Sequence, residues 1–374
     1  PFWQPFITLE TDEKEKVELK HNKDIFNKNE LEKFKNLIGK EAEAETTKKE
    51  QKIKPPVPFN LTTLQTEAYR FHGVSPSQTL RAAQSLYLAG AISYPRTSSQ
   101  KLPPSIAYKG ILKKLAKIHE VEHLIKKEKP IEGKKSDPAH PSIYPTDQIP
   151  EKNSMNQDES KVYSLIVKRF LSLFCEEARM DRKKIQALVK EKNKGEELKF
   201  SAKGMAIRKK AWMEIYPTQQ KENEIPDLSG KREIVDSRIE EKETQPPRRY
   251  TPASIISELE KRNLGTKATR SNIIETLFNR GYIEGKSVKA TPLGISLIDT
   301  LKDYSDVIID EQLTRHFEEE MESIRNSKAN FTKKEESILK EAKEAITKIA
   351  SQFSKNQEKI GQKLLDANIK FREQ

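Results

Sequence analysis

Two proline clusters, Pro55-Pro56-Val57-Pro58 and Pro246-Pro247, constrain the fold of this chain more than any other feature. Proline fixes φ and has no N–H to give to a ladder, so each cluster ends the element that precedes it. Ahead of the first cluster the pattern is β-like. Residues 4 to 20 alternate loosely through Phe6, Thr8, Val17 and Leu19 around a charged turn at 11 to 16, as in a hairpin. Leu31, Phe34 and Leu37-Ile38 lie at helical spacing in residues 28 to 38, and residues 41 to 54 have room for one more strand.

Between the clusters the period changes and then changes back. Leu61, Leu64, Ala68 and Phe71 form one helical stripe, and Leu80, Ala83, Leu86 and Tyr87 form a second. Ser75 or Ser77 serves as N-cap of the second helix and Gly90 as its stop. A further helix is expected over Glu159 to Glu177. β-like segments return at Ile185 to Val189, Leu198 to Ala202, Ala211 to Tyr216 and around Ile234-Val235 and Ile239. A helical block enclosed by two β-rich blocks predicts a domain inserted in another, the two β parts sharing one sheet. After Thr251 helices are expected over Ala253 to Arg262 and from Lys267 or Thr269 to Asn279. A turn at Gly281 to Lys286, a helix opened by Thr291-Pro292, and an amphipathic helix over residues 331 to 374 follow.

Lys+Arg 69 against Asp+Glu 57 gives a net charge of +12, which suits a polyanionic partner because basic side chains displace the counterions condensed on phosphates. The single cysteine, Cys175, sits in the apolar run Leu171-Ser172-Leu173-Phe174 and reads as a core residue. One cysteine forms no internal disulfide, which predicts a reducing, intracellular setting. No apolar stretch approaches the roughly 20 residues needed to span a bilayer, so no membrane partner is expected. The chain starts Pro1-Phe2-Trp3 without an initiator methionine, as a piece of something longer would.

The segment Ser93-Tyr94-Pro95-Arg96-Thr97-Ser98-Ser99 follows the Gly90 helix stop. Pro95 disfavours helix at Tyr94, so an extended or turn conformation with a projecting ring is expected. A phenol titrating near 10 needs nearby positive charge or a base to attack a phosphodiester at neutral pH. Arg96, two residues on, points to the same side of an extended segment and can fork onto phosphate oxygens. A Tyr-Pro-Arg triplet is common, so local chemistry alone leaves a packed loop tyrosine as the simpler account. A rival motif, His119-Glu120-Val121-Glu122-His123, satisfies H-E-x-x-H, which on one helix would present two imidazoles to zinc. The spacing of Leu112, Leu115, Ile118 and Val121 allows such a helix, but lysines flank it and no third ligand is near. A solvated amphipathic helix is the simpler reading.

Several separate stretches together resemble the type IA DNA topoisomerases. They are Leu61-Thr62-Thr63-Leu64-Gln65-Thr66-Glu67-Ala68, Thr79-Leu80-Arg81-Ala82-Ala83-Gln84-Ser85-Leu86-Tyr87 and Gly90-Ala91-Ile92-Ser93-Tyr94-Pro95-Arg96-Thr97. Ala139-His140-Pro141-Ser142-Ile143-Tyr144-Pro145-Thr146 is similar to the family's histidine motif, in the form typical of archaeal topoisomerases and reverse gyrases. Pro247 to Ile256, Leu264-Gly265-Thr266-Lys267-Ala268-Thr269-Arg270 and Asn279-Arg280-Gly281-Tyr282-Ile283 resemble its later DNA-binding domain. The resemblance runs from residue 1 to about 325, in order.

That resemblance implies an α+β multidomain fold, a partial torus. Residues 1–58 and 183–245 would form a β-rich arch, with a helical domain carrying the active tyrosine (59–182) inserted in it. A helical, winged-helix-like DNA-binding domain with C-terminal helices (246–374) would follow. It makes Tyr94 the nucleophile that joins a 5′ phosphate, with Arg96 stabilising that phosphate and His140 contacting it. Thr97, Lys267, Thr269, Arg270 and Arg280 become DNA-binding residues, although a solvated basic face is the bland alternative for the last four. It also implies a Toprim domain holding Mg²⁺ on a glutamate and an Asp-x-Asp pair. That arrangement does not occur in this sequence, nor do the family's Gly-Arg-Val-Gln segment and cysteine-rich zinc modules. The expectation is an ATP-independent topoisomerase that relaxes negatively supercoiled DNA, present here as a fragment without its Toprim domain. Its partners would be DNA, preferentially single-stranded, and a Toprim domain from the parent protein or a separate chain; its place would be the cytoplasm, with the nucleoid. Two alternatives stand beside it: a non-catalytic DNA-binding module, and the topoisomerase half of a reverse gyrase whose helicase, having no Walker A sequence here, lies elsewhere.

Overall fold

The structure, a computed structural model, describes residues 1–190, 197–326 and 331–372. The chain divides into two compact units. One comprises residues 1–56, 119–129 and 171–247, the other residues 57–118, 130–170 and 248–374.

The first unit is built on a closed, six-stranded antiparallel barrel. Its strands are β1 (Phe2–Glu10), β2 (Lys16–His21), β3 (Glu41–Ile53), β4 (Ala178–Lys190), β5 (Glu197–Lys209) and β6 (Gly230–Lys242). They run in the order β1-β2-β5-β4-β3-β6, and β6 pairs with β1 to close the sheet. Closure leaves no edge strand to pair elsewhere. Alternation in the sequence becomes alternation in space. Ile7 and Leu9 of β1, Val17 and Leu19 of β2, Ile185, Ala187 and Val189 of β4 and Phe200 of β5 all point inward and are buried. The β1–β2 hairpin turns at Thr11 to Glu15, where Lys14 adopts φ 61 and Thr11 N–H donates to the Glu15 carbonyl at 3.0 Å.

Two segments of this unit depart from the sequence reading. Residues 28 to 38 form only a short 3₁₀ turn, Lys28–Phe34, because Leu31, Phe34 and Leu37 are drawn into the barrel core. Residues 211 to 216, expected as a strand, form another 3₁₀ turn, Ala211–Glu214. There Ala211 sits at φ 46, and the buried Trp212 donates its indole N–H to the Ile53 carbonyl at 2.9 Å. A tertiary hydrogen bond outweighs local β propensity.

The second unit is helical. Its helices α1 (Leu61–His72) and α2 (Pro76–Leu88) are each set by a capping box, Asn60 with Thr63 and Ser75 with Gln78, and Pro76 takes the first position of α2. Helices α3 (Tyr108–Ile118) and α4 (Gln157–Ser172) follow; α4 ends earlier than the sequence reading placed it, and Ala178 already belongs to β4. Leu64, Ala68, Leu80, Ala83, Leu115, Leu165 and Ile166 supply the apolar faces. Arg169, 5% exposed, lies with its guanidinium 4.0 Å over the Phe59 ring and donates to the Val57 carbonyl at 3.0 Å. The later part of the unit carries α5 (Pro252–Lys261), α6 (Arg270–Asn279) and a two-stranded wing of β7 (Ile283–Glu284) and β8 (Lys289–Ala290). Helices α7 (Pro292–Tyr304), α8 (Glu311–Asn326) and α9 (Phe331–Arg372) complete it, with residues 373 and 374 of the expected last helix outside the described residues. α7 is held to α9 by Lys363, whose ammonium meets Asp303 at 2.8 Å and lies 5.0 Å from the Tyr304 ring centroid.

Phe200, edge-on to Phe34 at 6.2 Å, is the largest fully buried side chain of the barrel core. Phe200→Ala is expected to destabilise this unit by about 3–5 kcal/mol, read as a lower denaturant midpoint. A loss below about 1 kcal/mol would show that the ring is not a packing element.

Candidate active site and nucleic-acid interface

Gly90 adopts φ 74, the left-handed conformation that stops α2, and the chain leaves it as an extended loop. That loop zips onto residues 142–146. Ser93 N–H donates to the Tyr144 carbonyl at 2.9 Å, Tyr144 N–H donates to Ser93 Oγ at 2.9 Å, and Ser93 Oγ–H donates to the Ser142 carbonyl at 3.1 Å. Thr146 N–H donates to the Ala91 carbonyl at 2.9 Å. These bonds fix the backbone on the N-terminal side of Tyr94. On its other side Thr97 N–H turns back to the Pro95 carbonyl at 2.9 Å, and Leu61 N–H donates to the Thr97 carbonyl at 3.0 Å.

Held in this way, Tyr94 is half-buried between two other rings. His140 lies 4.6 Å away at 47°, and Tyr87, on the last turn of α2, lies 5.3 Å away edge-on at 71°. Tyr94 and His140, 46 positions apart in sequence, thus meet in one place. Arg96 is half-buried as well, and its Nε–H is buried without an acceptor among the described residues. An unsatisfied buried donor costs about 1–3 kcal/mol. On a cation two residues from a tyrosine, such a donor is suited to an anionic oxygen. Thr97 is 1% exposed; its hydroxyl donates to the His140 carbonyl at 3.4 Å and accepts Ser99 N–H at 3.0 Å, so it ties two loops together.

The strongest polar junction of the site was not legible as such in the sequence. Asp137, with a side chain only 2% exposed, accepts Ser98 N–H at 3.2 Å and Ser98 Oγ–H at 3.0 Å on one oxygen, and Ala139 N–H at 3.0 Å on the other. Its Oδ2 also receives the Lys267 ammonium. The signal available was Asp137-Pro138-Ala139, an aspartate two residues before a backbone N–H it can cap in a turn. Burial by itself would raise the Asp137 carboxyl. The Lys267 ammonium and the donors of Ala139 and Ser98 outweigh it and hold the group well below the usual carboxylate range.

The expected DNA-contacting residues of the later segment therefore divide. Lys267 precedes α6 and is paired with Asp137. Arg270 is the first residue of α6, and its guanidinium donates to the carbonyls of Leu264 at 2.9 Å and Gly265 at 2.8 Å, which shapes the turn before the helix. Thr269, at the N-cap position, is exposed and its Oγ accepts Thr266 N–H at 2.9 Å. Arg280 is exposed at the end of α6. Two further ion pairs join this segment to the tyrosine-bearing part, Arg81 with Glu275 at 3.1 Å and Lys135 with Glu260.

The H-E-x-x-H sequence does not lie on one helix. α3 ends at Ile118, Glu120 takes φ 55, and Glu122–Leu124 is a separate 3₁₀ turn, so the two histidines lack the i, i+4 geometry zinc would need. Among the described residues no three His, Cys, Asp or Glu side chains gather as a metal site, and the Asp137 oxygens are already occupied by N–H and O–H donors. These residues do not fit a magnesium ion. Cys175 is fully buried, with its thiol pushed up to about 12 by burial.

A group whose folded pKa is depressed stabilises the fold above its unfolded value, near 3.9 for aspartate, and that contribution is lost as pH falls through the folded value. The thermal unfolding temperature of the wild type should therefore fall as pH drops below about 4. Asp137→Asn should flatten that part of the profile. Parallel profiles for the two proteins would show that the carboxylate is not stabilised in this way.

Residues 1–335 match a family model described as DNA topoisomerase. The chain is 46% identical over 338 residues to DNA topoisomerase 1 of Methanothermobacter thermautotrophicus, covering 88% of this chain and 45% of that one. It is 46% identical over 324 residues to DNA topoisomerase 1 of Pyrococcus horikoshii, covering 84% of this chain and 46% of the relative. The solved structure of full-length topoisomerase I from Thermotoga maritima superposes with a TM-score of 0.70 at 25% identity, covering 93% of this chain and 58% of that chain. The chain thus spans less than half the length of these two archaeal relatives. With most of its length inside one family model, and with its ordered motifs folded around Tyr94, the chain belongs to the type IA DNA topoisomerase family.

Proposed function

We propose that this chain is the strand-cleaving and DNA-holding part of a topoisomerase that relaxes negatively supercoiled DNA without ATP. The observation that carries the reading is the site itself: a half-buried Tyr94 held between His140 and Tyr87, two residues before an Arg96 donor with no acceptor among the described residues. In the proposed reaction the Tyr94 oxygen attacks a backbone phosphorus and loses its proton. The bond to the 3′ oxygen breaks, that oxygen takes up a proton, and a 5′-phosphotyrosine remains. Resealing is the reverse, and because one phosphoester replaces another the bond energy is conserved. Arg96 offsets the added negative charge on the phosphate and on the developing phenolate. His140 packs on the tyrosine ring and restrains its approach to the phosphate. The Mg²⁺ site implied by the family is not formed by the described residues, and no step here runs through it. A Toprim domain, in the parent protein or on a separate chain, is the partner assigned to it.

For the strand itself, exposed Thr269 and Arg280 are proposed as direct backbone contacts. Thr97 and Arg270 act through the loops they hold, and Lys267, paired with Asp137, is within reach of a strand laid at the start of α6. A net charge of +12 supports a polyanionic ligand, and no described helix is long and apolar enough to cross a membrane. A place in the cytoplasm with the nucleoid accords with this reading.

In the parent protein supplied with Mg²⁺, wild-type sequence should form a denaturant-resistant DNA adduct. Tyr94→Phe should form none, and Arg96→Ala should cut the rate of adduct formation by about a hundredfold. An adduct of undiminished yield in Tyr94→Phe would sink the assignment of the nucleophile.

A second reading rests on α5, α6 and the β7–β8 wing, a helix-helix-wing order suited to duplex recognition. The two readings part on ligand preference. Preference for single strands, with log affinity falling by about 0.7 per phosphate contact per decade of salt, supports the cleaving enzyme. Tight, sequence-dependent duplex binding would support a pure binding module.

A further inference from the structure

We infer that Asp137 is a positioning residue that couples the segment entering α6 to the geometry of the tyrosine loop, with Lys267 as the coupling arm. The inference rests on the proposed role of Tyr94. It adds a residue to that site, and a way for the bound strand to act on it.

One carboxylate gathers donors from three separate stretches. Ser98, which gives it both a backbone N–H and a hydroxyl, stands four residues after Tyr94 and two after Arg96. Ala139, which gives it a second N–H, immediately precedes His140. Lys267 comes from the loop ahead of α6. Asp137 touches none of the groups proposed to react. It sets where the backbones that carry them can lie. A carboxylate only 2% exposed cannot exchange these partners for water at little cost, so the three stretches are held as one unit.

Lys267 is the member of this junction that can leave. Its side chain is 31% exposed, against 2% for Asp137, and it stands beside the exposed Thr269 at the start of α6. Helix starts and lysines both favour phosphate oxygens. A strand laid there competes with Asp137 for the same ammonium. When Lys267 turns to the phosphate, Asp137 keeps only Ser98 and Ala139 and the two loops loosen. When the strand leaves, the pair re-forms and the loops tighten. Lys135, two residues before Asp137, pairs with Glu260 of α5 and keeps the neighbouring backbone in place during the exchange.

The junction can be read without any catalytic assay, by amide hydrogen exchange over residues 93–99 and 137–141 of this chain. Lys267→Met should raise exchange in both segments by about tenfold or more, with strands β4 and β5 unchanged as an internal control. Lys267→Arg, which keeps the charge, should restore protection. Asp137→Asn, which keeps the shape of the side chain but loses the ion pair, should resemble Lys267→Met. A short oligothymidylate should raise exchange in the wild type and leave Lys267→Met unaltered. If Lys267→Met leaves both segments as protected as in wild type, or if the oligonucleotide acts equally on both proteins, the coupling is refuted. Tyr94→Phe should keep wild-type protection, so failure of the nucleophile assignment and failure of this inference give different results. In the parent protein Asp137→Asn should lower the rate of adduct formation at saturating DNA while raising DNA affinity by about twofold or more, because the strand no longer competes with a carboxylate for Lys267. An equal loss in both would mark a merely structural residue.

Discussion

The register that pairs Ile53 of β3 with Ala178 of β4 is the constraint on which the rest of the first unit depends. It brings together strand ends that enclose the whole stretch 54–177, and β4 cannot close the barrel until that stretch has returned. The entropy of closing so long a loop grows only slowly with its length, so the insertion is tolerated. What it requires is a stop at each end. Pro55-Pro56 ends β3 on one side, and on the other α4 finishes at Ser172 with Cys175 and Phe174 fully buried ahead of the strand.

In the helical unit the equivalent constraint is polar. The loops bearing Tyr94 and His140 lie outside the helices and strands, and they are held by backbone–backbone bonds together with side chains that take up backbone donors or acceptors. Ser93 works on one side of Tyr94, Ser98 through Asp137 on the other. Such a scaffold suits loops that are held firm without a ligand and can be released by one. Charge-assisted bonds are strong when satisfied and can be exchanged for a competing phosphate, whereas an apolar contact offers no such exchange.

Much of this was legible in the sequence because it is local. The cap at Ser75, the Gly90 stop, the hairpin over residues 2–21 and the turn after Asn279 are each set by a few adjacent residues, and the structure has them near their expected bounds. The failures share one cause. Residues 28–38 and 211–216 have periodicities that a helix or strand could use, but Leu31 and Phe34 are claimed by the barrel core and Trp212 by burial and its bond to the Ile53 carbonyl. The helix thought able to carry His119 and His123 breaks at Glu120, where the chain passes from one compact unit to the other.

The candidate site divides in the same way. By itself the sequence named Tyr94, Arg96 and His140 as the candidate groups, since residue type and family order name them without coordinates. It also gave most of the strands and several helix ends, because period and caps act over a few residues. Tertiary structure alone decided which of these groups are occupied. Lys267 and Arg270 look alike in sequence as free cations before a helix. Yet one is paired with a buried carboxylate 130 residues away and the other with its own loop carbonyls, while the Arg96 Nε–H has no acceptor among the described residues. Whether a charge is spent within the fold or left for a ligand depends on which partner lies within hydrogen-bond reach. For residues so distant in the chain, only the folded arrangement sets that distance.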